Sequence, residues 1–343
     1  MSGSPGEKIS ATKDKQEMPK VSIVMSVYNK APYLNEAVDS VLNQTFSDFE
    51  FIIADNCSVD NSVEILQSYS DPRIRFHQNH RNLGAAVSLN SCLDRATGDY
   101  VALACGDDVW EEDFLQTCVS LLERHPEVNI ASCRMDSLDS GGKVTRGRKS
   151  PEGDAFRIVP VDQVVEILAR SSCSILLPAA LFRRATFPFY DPRYQCTCDW
   201  DISFKLVEQQ TDFLFVDRAL VRYRFYPENE TSVAKQDGTL IYESYMNLHR
   251  FFLRQPRYRH LRRKAYSTLA MSTLRQSRDL GQREMIFLYH RFALMIYPPI
   301  FFHPAFHLYW ITAFLLGPPG MQALMKASKK VTSVIKRIQG KKA

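Results

Sequence analysis

The first hundred residues alternate between apolar runs and amphipathic segments. Segments of strand length recur four times, at 21–27, 49–55, 73–78 and 99–105. Between them, apolar residues recur at helical spacing, at 32–41, 61–69 and 83–95. Strands without a polar face that alternate with helices of this length are typical of a parallel sheet covered by helices on both sides. We therefore predict an α/β fold for this part of the chain.

Short polar segments follow three of the predicted strands. They are Tyr28-Asn29, Asp55-Asn56 and Gly106-Asp107-Asp108. Ligands of parallel sheets bind outside the carboxyl ends of the strands, so we expect these segments to converge on one crevice. Each segment alone could be a simple turn, because Asn, Asp and Gly favour turns. Three of them at strand ends favour a binding site.

Motifs that the chain lacks narrow the kind of site. No G-x-G-x-x-G follows the first strand and no G-x-x-x-x-G-K-[ST] occurs, which disfavours a dinucleotide fold and a P-loop ATPase. Carboxylates can hold a diphosphate only through a divalent cation, Mg²⁺ or Mn²⁺, and Asp107 and Asp108 suit that role. Alternatively, either residue is the N-cap of a helix that we expect to begin near Trp110.

The ordered set of motifs resembles one known family. It consists of VSIVMSVYNKAPYLNEAVDSVLNQTFSDFEFIIADNCSVDNS, NHRNLGAAVSLNSCLDRATGDYVALACGDDVWEEDF, CDWDISFKL and VRYRF, which together cover about residues 20–230. These segments are similar to the inverting nucleotide-sugar glycosyltransferases of family 2, which have the GT-A fold. The resemblance implies a nucleotide-diphospho-sugar transferase domain at 20–238, a Rossmann-like, mostly parallel sheet flanked by helices.

For the sugar donor, the resemblance implies contacts from several turns. The implied donor-binding residues are Tyr28, Asn29, Asp55, Arg81, Asn82, Gly84, Cys105, Asp107 and Arg224. Asp55 would accept a hydrogen bond from the nucleobase, and Asn82-Leu83-Gly84 with Arg81 would lie near the base and ribose. A UDP-sugar is the expected donor.

The family's D-x-D element falls on Cys105-Gly106-Asp107. Its second Asp, the usual metal ligand, is present as Asp107, and the implied cofactor is Mn²⁺ or Mg²⁺. Its first Asp is replaced by Cys105. Tyr226 replaces a His that the family often places after an Arg, and a protonated Tyr is a poor ligand for a hard ion. Arg224 could still neutralise the departing diphosphate as a bidentate donor.

An inverting transfer requires one further carboxylate, because the acceptor hydroxyl must lose its proton as it displaces the nucleoside diphosphate. Cys198-Asp199-Trp200-Asp201 aligns with the family's E-D-x-D stretch, whose second residue is the base. The resemblance therefore implies Asp199 as the base, with Asp201 as the alternative. Asp199 could also cap the helix that we predict through Val207, and the two roles are compatible.

The acceptor side is predicted to lie between the D-x-D element and the base. We expect a strand at 128–135, a polar loop at 139–151 and a helix at 161–170. Residues 178–184 fit the family's acceptor-side helix. A glycan or a lipid-linked glycan is the expected acceptor, and loops that vary between proteins define its pocket.

Composition divides the chain near residue 240. The composition is globular, and the formal net charge is +5, from 43 Lys or Arg and 38 Asp or Glu. From residue 246 onward there are 18 Lys or Arg and only two acids, Asp279 and Glu284, so this part carries +16 and the rest −11. Such an asymmetry is informative about partners rather than about the fold.

An uncharged stretch at 292–325, broken by five prolines, lies between basic segments at 254–264 and 321–343. Its longest part between prolines has 13 residues, fewer than the roughly 20 that span a bilayer. We predict a helical region at 239–343 that binds an anionic membrane surface peripherally, at the inner face. The alternatives are packing on the catalytic domain and homodimerisation. The apolar residues between the charges argue against nucleic acid.

Two further features predict a cytoplasmic location. Residues 1–19 are polar and lack a signal-peptide h-region, which predicts a disordered tail. The eight cysteines show no C-x-x-C pair and no zinc-ligand spacing, and are typical of small buried residues in a reducing compartment.

The family resemblance implies a hexosyltransferase-type enzyme of polysaccharide or O-antigen-type biosynthesis. The processive-synthase signature Q-x-x-R-W is absent, which favours transfer of a single sugar. Because Cys105 and Tyr226 depart from the family pattern, a catalytically silent binding module stays the alternative function. A sugar nucleotidyltransferase is disfavoured, because no Gly-rich, basic turn follows the first strand.

Overall fold

The computed structural model describes residues 18–146, 155–170, 177–226, 238–277 and 283–302, together with 304, 306 and 307. The tail predicted at 1–19 lies outside these residues except for its last two. Most of the uncharged stretch and all of the basic segment at 321–343 also lie outside them. Disorder of the tail and membrane binding by the basic segment therefore stay predictions.

The first part of the chain alternates strands with helices, as its hydrophobic pattern predicts. The strands are β1 (Val21–Val27), β2 (Phe49–Asp55), β3 (Ile74–Gln78), β4 (Tyr100–Leu103) and β5 (Val109–Trp110). The helices are α1 (Ala31–Leu42), α2 (Ser62–Ser68), α3 (Ala85–Leu93) and α4 (Phe114–Arg124). Every residue of β2 and all but one of β1 are buried, which explains why neither strand shows polar alternation.

The second part adds further strands and helices. The strands are β6 (Ile130–Leu138), β7 (Val144–Arg146), β8 (Phe156–Val159), β9 (Ala180–Arg183) and β10 (Phe213–Arg224). The helices are α5 (Val161–Arg170), α6 (Cys198–Glu208), α7 (Thr239–Arg254), α8 (Arg262–Ser277) and α9 (Arg283–Ile296). Short 3-10 helices lie at Leu177–Ala179, Arg184–Thr186, Pro256–Leu261 and Pro298–Phe302. The predicted helical character of the C-terminal region is confirmed over its described residues.

A single sheet of ten strands collects the strands of the described residues. Its order is β3-β2-β1-β4-β9-β6-β10-β5, with β7 paired to β6 and β8 paired to β10. Strands β1 to β4 are parallel to one another, as predicted. The sheet becomes mixed beyond them, because β9 enters antiparallel between β4 and β6.

Two local predictions are wrong. Residues 178–184, expected as a helix, form β9 and parts of the two adjoining 3-10 helices, because Ala180–Arg183 pair with strands on both sides. The helix expected near Trp110 begins at Phe114 after the N-cap Asp113, because 109–110 pair with β10. The N-cap interpretation of Asp107 and Asp108 is therefore excluded.

The sheet separates two apolar cores. Alternate residues of β1 point to opposite faces, so Ile23 belongs to a core shared with α1 and α4, while Val24 belongs to a core shared with α3 and α6. Phe251 of α7 and Tyr289 of α9 belong to the same core as Val24. The predicted boundary at 238/239 coincides with the start of α7, but the hydrophobic core continues across it.

Apolar side chains are exposed near the far end of the described chain. Met295 is 72% exposed, Phe301 49% and Phe302 84%. Among the helices of the described ranges, none combines the length and the apolar character needed to cross a bilayer.

Candidate functional site

The carboxyl ends of β1, β2 and β4 form one edge of the candidate site. Strand β1 lies between β2 and β4, and its register places Val27 beside Asp55. Of the three polar segments singled out in the sequence, Tyr28-Asn29 follows β1, Asp55-Asn56 begins with the last residue of β2, and Gly106-Asp107-Asp108 lies shortly after β4. The structure therefore brings them to a common edge of the sheet, where parallel sheets bind ligands.

Asp55 is fully buried at the end of β2. One of its carboxylate oxygens accepts a hydrogen bond from the backbone N–H of Ser58 at 3.1 Å. The other, Oδ1, has no hydrogen-bond partner among the described residues. A buried oxygen without a partner destabilises the protein, and an N–H donor from a ligand would satisfy it. Tyr28, which is 40% exposed, follows the neighbouring strand.

Asn29 joins the turn after β1 to the turn after β2. Its backbone is in the left-handed region, with a φ of 53°, a conformation that Asn tolerates better than most residues. Its Oδ1 accepts from the N–H of Val59 at 2.9 Å, and its own N–H donates to Ser58 Oγ at 3.0 Å. The turn that carries Lys30 is thereby held against the turn that carries Asp55.

Asn56 holds a third turn in place. Its Nδ2 donates to Asn82 Oδ1 at 2.9 Å, and its Oδ1 accepts from the N–H of Leu83 at 3.0 Å. Gly84 precedes α3 with a φ of 80°, a conformation that favours glycine. Arg81 is exposed beside this turn. The residues expected near the base and ribose therefore adjoin the end of β2.

A lysine-aspartate pair joins the ends of β1 and β4. Lys30 Nζ lies 2.5 Å from Asp107 Oδ2 and 2.5 Å from Tyr226 Oη, and Tyr226 Oη donates to the same Asp107 oxygen at 2.6 Å. Burial opposes the charge of Lys30, but Asp107 outweighs it and leaves the lysine pKa raised. Burial and Asp107 also raise the pKa of Tyr226. At neutral pH the lysine is charged and the tyrosine is protonated.

Arg224, at the end of β10, contacts this cluster through its guanidinium group. Its side chain is 2% exposed, and its guanidinium donates to the backbone oxygens of Asp107 (2.9 Å) and Asp139 (3.2 Å) and to the carboxylate of Glu36 (2.6 Å). It also lies over the ring of Tyr33, 4.8 Å from the centroid. Diphosphate binding by Arg224 stays a prediction, since its N–H groups meet protein acceptors here.

Asp108 is buried beside Arg224. One of its oxygens accepts from the N–H of Arg224 at 3.1 Å, and the other has no hydrogen-bond partner among the described residues. Burial and the neighbouring Asp107 raise the pKa of Asp108 to about 7. Near neutral pH this carboxyl is therefore only partly ionised.

The donor atoms near Asp107 test the predicted metal. Cys105, Asp107 and Asp108 place one ligand atom each within 4.8 Å of the others, a spacing that could surround one ion. The two carboxylates are the kind of ligand that Mn²⁺ and Mg²⁺ prefer, but the thiol of Cys105 is not. Burial and the adjacent carboxylates raise the pKa of Cys105 well above its usual range, so its thiol stays protonated. Asp107 already forms an ion pair with the ammonium of Lys30, and this positive charge would repel a divalent cation.

The candidate base lies in the first turn of α6, which contains both Asp199 and Asp201. Thr197 is the N-cap, so Asp199 is not the cap that the sequence allowed. Asp199 is half-buried. Asp201 is buried, and its Oδ2 lies 2.6 Å from Lys205 Nζ in an ion pair without hydrogen-bond geometry. Asp199 Oδ1 accepts a hydrogen bond from the backbone N–H of Trp200 at 2.8 Å, and the choice of Asp199 as the base stays a prediction.

Glu243 of α7 caps α6 from outside. Its carboxylate accepts the backbone N–H groups of Gln195 (2.7 Å), Cys196 (3.0 Å) and Thr197 (2.9 Å). Asn247, one turn further along α7, donates to Thr197 Oγ1 at 2.9 Å. Since Thr197 makes no side-chain cap of its own, Glu243 supplies the negative charge that a helix N-terminus favours. The C-terminal region thereby fixes the helix that carries Asp199.

A cavity of about 510 Å³ opens between the N-terminal end of α6 and helices α7 and α9. Its polar walls include Arg193, Gln195 and Arg250, and its apolar walls include Leu288 and Phe292. Such a cavity suits a ligand with both polar and apolar parts.

Sequence reasoning missed two functional candidates, Lys30 and Glu243. Lys30 stands next to a predicted turn, and the charge needed to balance Asp107 was a signal that could have pointed to it. Glu243 had no local signal, because its partners lie 46 to 48 residues away in the sequence.

Comparison with known proteins relates part of this chain to one family. Residues 22–181 match the family model described as Glycosyl transferase family 2. A putative glycosyltransferase, EpsE of Bacillus subtilis, is 37% identical over 127 residues, which are 36% of this chain and 46% of EpsE. The putative teichuronic acid biosynthesis glycosyltransferase TuaG of the same organism is 43% identical over 100 residues, 29% of this chain and 40% of TuaG. The chain thus covers less than half of either relative.

A longer match and two solved structures extend the comparison. An uncharacterized glycosyltransferase of Methanocaldococcus jannaschii, MJ1057, is 27% identical over 233 residues, 67% of this chain and 78% of that protein. Crystal structures of S. aureus TarS with UDP and with UDP-GlcNAc give TM-scores of 0.53 and 0.55, at 16% and 15% identity. Each comparison covers 82% of this chain and 90% of the TarS chain, and shows the GT-A fold.

We expect Glu243→Ala to lower the free energy of unfolding by about 3 kcal/mol, because three backbone N–H groups, one buried and two partly buried, lose their acceptor. Glu243→Gln, which keeps an acceptor oxygen, should lose about half as much. Urea denaturation followed by circular dichroism measures both changes. Glu208→Ala is the control, because its partly exposed ion pair with Arg254 should contribute under about 1 kcal/mol. Equal losses for Glu243→Ala and the control would contradict the capping role.

Proposed function

We propose that this chain, whose residues 22–181 belong to glycosyl transferase family 2, is an inverting glycosyltransferase that moves one sugar from a nucleotide-diphosphate sugar to a glycan or lipid-linked acceptor. One observation supports this most strongly. Asp55 Oδ1, a buried acceptor without a partner among the described residues, lies at the same strand ends as the Lys30–Asp107 pair. The acceptor oxygen of Asp55 suits a nucleobase, and the Lys30–Asp107 pair suits a diphosphate.

A UDP-sugar is the donor that the base side favours. Uracil presents an N–H group at N3, and Asp55 Oδ1 is a buried acceptor that no donor in the described part of the chain satisfies. Tyr28 is exposed at the end of β1, where its ring can face a planar base. The turn that contains Asn82 and Gly84 is tied to Asn56 and lies beside the same pocket.

The proposed reaction is a single displacement at the anomeric carbon. The acceptor oxygen forms a bond to this carbon as the bond to the diphosphate oxygen breaks, and the electron pair of the broken bond leaves with the nucleoside diphosphate. The acceptor's proton passes to Asp199, which is half-buried, rather than to Asp201, which is buried and so less accessible to an acceptor. The anomeric configuration inverts.

The acceptor is proposed to enter from the side of the 510 Å³ cavity at the N-terminal end of α6. This end of the helix carries Asp199 in its first turn. The polar and apolar walls of the cavity suit a glycan attached to a lipid. TuaG's description as a teichuronic acid biosynthesis enzyme supports polysaccharide assembly as the setting.

The basic C-terminal region is proposed to hold the enzyme at an anionic membrane surface. For a cytoplasmic protein, this surface is the inner face of the membrane. The exposed side chains of Met295, Phe301 and Phe302 lie in the described part of the uncharged stretch at 292–325, which precedes most of the basic segment. Apolar side chains next to basic residues are typical of interfacial binding.

A catalytically silent binding module is the second candidate function. It is favoured by Cys105 at the first position of the D-x-D element and by Asp107, whose charge Lys30 already balances. Turnover separates the two functions, because both bind nucleotide but only the enzyme releases a nucleoside diphosphate from a donor.

A panel of UDP-, dTDP- and GDP-sugars is incubated with the chain and a mixture of lipid-linked glycans. We expect a UDP-sugar to be the donor that releases its nucleoside diphosphate. Asp199→Asn should lower this turnover by at least about 100-fold, because the acceptor loses its general base, while nucleotide affinity stays unchanged. Coupled detection of the released diphosphate and calorimetric titration with UDP measure the two quantities.

Asp201→Asn is the matched control, since it makes the same change two residues away and should retain most of the turnover. Loss of turnover in Asp201→Asn but not in Asp199→Asn would move the base to Asp201. Nucleotide binding without turnover of any donor would favour the silent module.

For the membrane contact, we expect the full chain to sediment with vesicles that contain phosphatidylglycerol and much less with vesicles of phosphatidylcholine alone. Replacing the seven basic residues of 321–343 by Gln should weaken binding to the anionic vesicles by more than about tenfold, because each charge near such a surface contributes about 1 kcal/mol. Equal sedimentation of both proteins would contradict the proposed role of this segment.

A further inference from the structure

Lys30 occupies the place where a cation is needed at the candidate site. Its Nζ lies 2.5 Å from Asp107 Oδ2, and the side chains of Lys30 and Asp107 are only 19% and 14% exposed. Tyr226 Oη lies 2.5 Å from the same Nζ and donates to the same carboxylate oxygen at 2.6 Å. The positive charge is therefore held in a partly buried cluster, where electrostatic interactions are stronger than at an exposed surface.

The local fold presents this ammonium. Lys30 is the last residue before α1, and its backbone N–H donates to Ser62 Oγ at 3.0 Å. Its backbone oxygen accepts from the N–H of Leu34 at 3.0 Å. The side chain then passes over Gly106, where a Cβ would lie 3.2 Å from Lys30 Cγ. Glycine at this position gives the lysine room to reach Asp107.

Two substitutions relative to the family pattern accompany this lysine. Cys105 stands where the pattern has a carboxylate, and Tyr226 stands where it often has a histidine. Both replacements remove hard or basic ligands from the place where an ion would bind, and the remaining carboxylate, Asp107, is paired with Lys30. The cluster is thereby complete without a dication.

We propose that the Lys30 ammonium, and not a divalent cation, neutralises the nucleoside diphosphate as it leaves. This proposal rests on the proposed function. A lysine ammonium has three N–H donors, and Asp107 and Tyr226 take two of them. The third is available for an oxygen of the terminal phosphate. As the bond to the sugar breaks, negative charge grows on that phosphate beside a fixed positive charge, which lowers the barrier without a proton transfer.

Nucleotide affinity tests the proposal without requiring a known acceptor. The full chain is titrated with UDP, GDP and dTDP and with the matching monophosphates, in EDTA and then with Mg²⁺ or Mn²⁺. We expect a diphosphate to bind in EDTA, with its affinity raised by less than about tenfold on addition of either metal. The difference between diphosphate and monophosphate isolates the terminal phosphate.

Three variants assign this difference to the lysine. Lys30→Met should weaken diphosphate binding by about tenfold or more, while the matching monophosphate changes by less than that, because a charge-assisted hydrogen bond is lost. Lys30→Arg should recover part of the affinity, since it keeps a cation. Lys20→Met is the matched control and should bind like the wild type, because Lys20 pairs with Asp99 and Glu123 before the start of β1.

Different results overturn different claims. A gain of about tenfold or more with Mg²⁺ or Mn²⁺ in the wild type, or diphosphate binding by Lys30→Met within about tenfold of the wild type, would overturn the role of Lys30 and leave the proposed function standing. Absence of binding by every nucleotide would overturn both. Circular dichroism of Lys30→Met checks that the variant is folded. If it is not, the comparison between EDTA and metal in the wild type still decides.

Discussion

The parallel alignment of β1 with β2 and β4 is the constraint on which the rest of the site depends. β1 is buried almost throughout and lies between its two partners, so its carboxyl end cannot move independently of theirs. Polar residues that follow three strands must therefore share one edge, although up to 80 residues separate them in the sequence. Asp55, which is proposed to bind the nucleobase, and the charged pair of Lys30 and Asp107 are held in place by strands rather than by loops alone.

Electrostatic balance explains how several carboxylates can lie close together at the carboxyl ends of β1, β2 and β4. Lys30 offsets Asp107, and Arg224 offsets Glu36 while its backbone N–H supports Asp108. The balance keeps the cluster compact and leaves Asp55, with one oxygen unpartnered among the described residues, as the place for a ligand donor. The C-terminal region contributes a second electrostatic support, because Glu243 caps the helix that carries Asp199.

Much of this could be predicted from the sequence where the signal was local. Buried strands and amphipathic helices up to residue 105 follow from hydrophobic periodicity, and the convergence of Asp55 with Asp107 follows from the rule for strand ends. Residues 178–184 could not be predicted, because pairing with β4 and β6 decides their conformation. The partners of Lys30 and Glu243 could not be predicted either, since both contacts join segments that are distant in the sequence.

A crystal structure of the full chain soaked with UDP and Mn²⁺ tests both the nucleotide site and the role of Lys30, because it locates the base, the diphosphate and any metal together. We expect the uracil N3–H to contact Asp55 Oδ1 and the terminal phosphate to contact Lys30 Nζ. We expect no anomalous signal of manganese at Asp107. UDP bound away from the ends of β1, β2 and β4 would contradict the site. Manganese between the diphosphate and Asp107 would contradict the role of Lys30.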